Sequence, residues 1–184
     1  MLSITQVLAK SALLAWPLLG VVASDTIPDQ VRSLPSVDLE RYAGVWHEVA
    51  RFPNRFQTQC LGDVTATYTL LPSEQIEVVN ACRVEGGERT RAVGRARLAR
   101  RGGPTSQLKV RFAPAILSFL PMVWGDYWIL DITPEYGAAL VGDPSRKYLW
   151  VLSRSKQIDP ADYARLLESA SAQGFDVTRL EQTP

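Results

Sequence analysis

From residue 45 onward, apolar and polar positions alternate with a period of two in short stretches, and clusters of Gly, Pro, Asp and Ser interrupt them. The pattern predicts strands at 45–52, 63–71, 75–82, 90–100, 106–113, 125–132, 138–142 and 147–154. Short connections between successive strands make the prediction all-β: an eight-stranded antiparallel up-and-down barrel, a size that holds one small ligand. The period changes after Asp159-Pro160, a cap followed by a first-turn proline. Tyr163, Leu166, Leu167 and Ala170 then recur on one helical face, and Gly174 ends the helix.

Alternation also assigns faces. In 90–100 the arginines at 91, 95 and 97 must meet water, so Ala92, Gly94, Ala96 and Leu98 look inward. In 106–113, Leu108, Val110 and Phe112 oppose Lys109 and Arg111. Val64, Ala66, Tyr68 and Leu70 alternate with threonines, and Ile76, Val78 and Asn80 oppose Glu77. The expected ligand chamber is therefore lined by Ala66, Tyr68, Val78, Asn80, Ala96, Leu98, Val110, Phe112, Tyr127, Ile129, Val141, Tyr148 and Trp150. Small inward residues (Ala66, Val78, Gly94, Ala96) are expected to leave volume for a guest. Glu48 shares the parity of Trp46 and Ala50, so a carboxylate is expected inside, as a buried hydrogen-bonding group or a ligand-selecting acid.

Ahead of the first strand, an apolar stretch 12–23 follows Lys10 and ends in Val21-Val22-Ala23. It is too short to span a bilayer and reads as a secretory leader, residues 1–23. A polar linker, 24–36, leads to a domain of residues 37–184. Without the leader the 20 basic groups lose Lys10 and become 19, equal to the 19 acidic ones. A neutral mature chain argues against nucleic acid as partner. The two cysteines, Cys60 and Cys82, fall at the open end of a hairpin folding at 72–74. In an exported chain that placement favours a disulfide over two buried thiols.

Catalytic chemistry finds little support. The single histidine, His47, cannot build a zinc site or complete a Ser/His/Asp set, and Ser153 lacks a glycine elbow. No catalytic residue, metal or cofactor is assigned. The run 112–124 is thirteen mostly apolar residues that Pro114 and Pro121 keep out of strand and long helix. It is either a turn tucked against the barrel or an exposed patch that touches membrane, ligand or a second copy in a homodimer. Arg51 and Arg55, near the loop after the first strand, are candidates for a phosphate or carboxylate head group.

Gly44-Val45-Trp46, Gly125-Asp126-Tyr127-Trp128 and Ser153-Arg154, in this order and at these separations, resemble the lipocalin family. Tyr148-Leu149-Trp150-Val151-Leu152-Ser153-Arg154 and the Gly174-Phe175-Asp176-Val177 tail are similar to the outer-membrane lipoprotein type of bacterial lipocalin. The resemblance implies a floor in which Arg154 stacks over Trp46, with Asp126 and Tyr127 at the closed end near Gly44, Asp126 capping backbone donors. On that placement the 112–124 loop also belongs to the closed end, and 53–59 to the mouth. The resemblance further implies non-covalent binding of a fatty acid or lysophospholipid, for storage or transport in membrane maintenance. Many bacterial members carry a lipidated cysteine at the leader cleavage site. None stands there in this sequence, so a periplasmic or secreted protein is expected, with outer-membrane association in doubt. The competing functions are a lumen enzyme using a thiol or acid, and an interaction protein using 112–124.

Overall fold

A computed structural model of the chain describes residues 28–73 and 75–184; the expected leader lies outside them. A short helix α1 (Leu39–Tyr42), capped by the Asp38 carboxylate on the amides of Glu40 and Arg41, leads into the barrel. The strands are β1 (Gly44–Arg51), β2 (Gly62–Leu70), β3 (Ile76–Arg83), β4 (Arg89–Leu98), β5 (Gln107–Arg111), β6 (Gly125–Ile132), β7 (Ala138–Gly142) and β8 (Leu149–Ser153). Each pairs antiparallel with the next, and β1 pairs with both β8 and β2, so the sheet closes. Helix α2 (Pro160–Ala172) and a short strand β9 (Glu181–Gln182) complete the chain.

The eight predicted strands are all present, with shorter ends at β5 and β8. Strand β5 stops at Arg111 because its own guanidinium turns to the carbonyls of Ala113 and Pro114, 2.7 and 2.5 Å away, and draws the chain out of the ladder. The sequence pattern did not show β9. Its residues pair with Ala50 and Arg51 of β1, beside the part of β1 that β2 does not reach.

Two apolar cores lie on either side of the wall. The inner one joins Trp46, Tyr68, Val78, Ala96, Leu108, Ile129, Val141 and Leu152. The outer one seats α2: Leu166 and Ala170, with Phe175 after the helix, pack on Leu130, Leu140, Leu149 and Val151. Tyr163 and Leu167 flank that contact, as the helical spacing predicts. A Cβ on Gly142 would meet Leu130 at 2.9 Å and the Phe175 ring at 3.0 Å, so any larger residue would push these packed side chains aside. Residues 28–36 run along the wall, with Val31 buried and the Leu34 amide bonded to the Ile129 carbonyl.

The ladder shifts register in β2 between Gly62 and Thr65, in β6 and in β1, and the shifts in β6 and β1 reset the alternation. In β6, Ile129 faces Val141 inside while Leu130 and Asp131 both turn toward α2, where Arg165 takes Asp131 at 2.9 Å. In β1, Glu48 lies opposite Leu152, but Ala50 is opposite Val151 in the outer core and Arg51 opposite Trp150. Glu48 therefore points inward as expected, Ala50 does not, and Arg51 replaces it.

Candidate functional site

With α1 and the Trp46 indole at one end, up-and-down order puts the connections 52–61, 84–88, 112–124 and 143–148 at the other. The mouth thus carries the apolar loop 112–124, contrary to the closed-end placement drawn from the Gly-Asp-Tyr-Trp motif. The closed end holds instead the turn Thr133–Gly137 between β6 and β7. Asp126 is likewise corrected: among the described residues it caps no amide, and it pairs with Lys109 at 2.7 Å on the outer wall.

The floor is built as expected. The Arg154 guanidinium lies 3.9 Å from the Trp46 ring centroid and donates to the carbonyls of Arg41, Ala43 and Val45 at 2.6–2.9 Å. Burial lowers the Arg154 pKa from its ordinary value, against which Tyr42 works. The Trp46 indole N–H donates to the Tyr42 carbonyl at 2.8 Å. Gly44 adopts φ +97°, and a Cβ there would press on Arg154 at 3.2 Å.

Above the floor the inward positions fall into two groups. Val78, Ala96, Ile129 and Val141 are buried. Ala66, Asn80, Val110, Tyr127 and Trp150 face the interior by strand register yet keep accessible surface, and Ala92 opposite Asn80 is exposed. Not every small residue leaves space: a Cβ on Gly94 would meet the Phe112 ring at 2.8 Å, so this glycine admits an aromatic side chain rather than a guest. Phe112 is a rim residue, 42% exposed. Leu98 borders the closed end, where with Leu39, Leu70, Leu71 and Ile76 it lines a recess of about 650 Å³.

Three phenols meet in the lower lumen. The Tyr127 hydroxyl lies 2.7 Å from those of both Tyr42 and Tyr68. Burial pushes all three pKa values well above the ordinary tyrosine value, so they remain protonated. At the mouth, Glu48 accepts from Arg51 (2.7 Å), Thr183 (2.6 Å) and Gln57 (2.6 Å), and Gln57 accepts from the Trp150 indole (3.1 Å). Tyr148 stacks between Trp150 and Phe56, at 5.8 and 5.6 Å. Glu48 thus holds the 53–61 loop and the C-terminal segment to the wall and balances the charge of Arg51. Sequence alternation missed Arg51 as an inward group, Gln57 and Thr183, because one lies beyond a bulge and two lie in segments without a pattern.

Residues 37–184 match the Lipocalin-like domain family model. The chain belongs to the lipocalin family. It is 42% identical over 156 residues to temperature-induced lipocalin-1 of Arabidopsis thaliana, covering 84% of this chain and 83% of that one. To the outer membrane lipoprotein Blc of Escherichia coli it is 36% identical over 159 residues, with 85% and 84% covered. Insecticyanin of the tobacco hornworm Manduca sexta shares the fold with a TM-score of 0.66 at 21% identity over 86% of each chain. Lobster apocrustacyanin A1 does so at 0.63 and 18%, over 86% of this chain and 92% of that one. Lipocalins bind small hydrophobic ligands and are typically not enzymes. In this lipocalin Cys60 and Cys82 form the expected disulfide, joining the end of the 53–61 loop to β3.

Proposed function

We propose that this lipocalin carries a single-chain amphiphile, a fatty acid or lysophospholipid, in its barrel and exchanges it at a membrane surface of the cell envelope. The reading rests on Ala66, Asn80, Val110, Tyr127 and Trp150, which take the inward register of a closed, largely apolar barrel without being fully buried. An acyl chain leaving water for such a wall gains about 0.8 kcal/mol per CH₂. Arg51 is neutralised by Glu48, so a charged head group stays at the mouth, where Arg55 lies over Phe56 at 5.3 Å. The name of the Escherichia coli relative, an outer membrane lipoprotein, supports the envelope setting, as does the leader-like segment 1–23.

Membrane contact is assigned to the mouth loop. Two short turns expose Ile116 (80%), Phe119 (75%) and Met122 (86%), while Trp124 folds back between Arg97 and Arg111 at 4.3 and 5.2 Å. The two readings of this loop are thus combined: one half anchors it to the wall, and the other half faces out.

Displacement of a fluorescent fatty acid by palmitate and by lysophosphatidylcholine tests the chamber. Ala66→Trp is expected to weaken both ligands at least tenfold with the melting temperature little changed. Unchanged affinity in the folded variant would place the ligand elsewhere.

A further inference from the structure

The lumen holds a polar patch at a depth where an unmodified acyl chain offers only CH₂ groups. The hydroxyls of Tyr42, Tyr68 and Tyr127 carry three O–H donors but make two contacts with one another, and no other described residue bonds them. One phenolic proton is left over. Asn80 sits on the same inner face as Tyr68, which is opposite Val78, so the two are diagonal neighbours about 7 Å apart. The Asn80 Oδ1 is occluded and without a hydrogen-bond partner among the described residues, while the residue as a whole keeps accessible surface, so a turn of its amide brings a hydrogen-bonding atom to a guest. A buried polar group without a partner is costly, and a ligand oxygen that meets these groups gains the hydrogen bonds they offer.

We infer that this patch is a subsite for an uncharged oxygen on the ligand's chain, a hydroxyl or ketone, and that the lipocalin prefers oxygenated acyl chains to plain ones. This rests on the lumen being the acyl-chain chamber. A hydroxyl accepts from the spare phenol and donates to Asn80; a ketone accepts from the phenol. A carboxylate is excluded at this depth because its counter-charge is missing. Arg154 lies across the Trp46 ring with its donors spent on backbone carbonyls, and Arg51 is paired with Glu48. The charged head therefore remains at the mouth and the chain oxygen is read below.

Palmitate, its ω-hydroxy derivative and a mid-chain oxo derivative, measured by displacement of one fluorescent fatty acid, provide the test. At least one oxygenated chain is expected to bind about tenfold tighter than palmitate, the worth of one well-made hydrogen bond. Asn80→Leu and the double variant Tyr68→Phe/Tyr127→Phe are expected to erase or sharply reduce that preference, read within each variant as the ratio of oxygenated-chain affinity to palmitate affinity. Should the double variant fold poorly, Asn80→Leu carries the test alone, because it removes an unpartnered group and breaks no bond. Equal binding of all three chains by the unmodified protein overturns the subsite and leaves the chamber standing. A preference that survives both variants also overturns it. Failure of every acyl chain to bind removes the chamber itself.

Discussion

Arg154 covers an indole and holds three carbonyls of the segment that leads into β1, so one side chain fastens the last barrel strand to the first. Arg154→Ala removes the cation–π contact and leaves those carbonyls without their donor. A loss of about 3 kcal/mol is expected in urea unfolding, and Arg154→Lys should restore only part of it, since an ammonium lacks the fork. The tyrosine cluster makes a second expectation at this scale. Its pKa values are raised in the fold, so its stability contribution is full below the unfolded tyrosine pKa of about 10 and declines as pH rises beyond it. Alkaline titration should release the tyrosinate absorbance of Tyr42, Tyr68 and Tyr127 together with the loss of β-sheet signal. Separate, earlier ionisation of the three in the folded protein would contradict the cluster. Of these groups, Trp46 and Arg154 were legible in the sequence as motif residues, and Tyr68 and Tyr127 by parity. Tyr42 was not, because a residue in a short helix has no strand parity to read.

Alternation exposed the barrel because the arginines of β4 can face only water. It misled where the chain departs from a regular ladder. The β1 bulge sent Ala50 out and Arg51 in, and no period-two pattern contains that step. The Gly-Asp-Tyr-Trp motif points the 112–124 loop to the closed end, whereas strand order puts it at the mouth, after an odd-numbered strand. Exposed Ile116, Phe119 and Met122 would each gain about 2 kcal/mol on leaving water. The triple variant Ile116→Glu/Phe119→Glu/Met122→Glu should melt like the parent yet lose co-sedimentation with vesicles of phosphatidylethanolamine and phosphatidylglycerol. If vesicle binding persists while sedimentation velocity shows a dimer turned monomer, the loop serves a second copy instead. A fall in melting temperature of many degrees would show that these side chains pack on the wall.

At the scale of the whole molecule, closure depends on contacts far apart in sequence. β1 meets β8 along one edge, but along the other β2 accompanies only Gly44–His47. Above that point the C-terminal segment takes over. β9 pairs with Ala50 and Arg51, the Thr183 amide bonds to the Val49 carbonyl, and the Asp63 amide to the Pro184 carbonyl. The Cys60–Cys82 bridge stands beside this seam and fixes the strand that would otherwise splay from it. Its replacement by two serines should lower stability by about 3 kcal/mol in the chain-entropy account, read from chemical unfolding under non-reducing conditions. The seam also bears on how the protein can be handled. A cysteine introduced at the exposed Gln182 would carry a small fluorophore beside the strand pairing and the Thr183 and Pro184 bonds that seal the wall. A change in its emission on adding ligand would show that loading disturbs this four-residue seam, and an unchanged emission that the seam stays shut throughout.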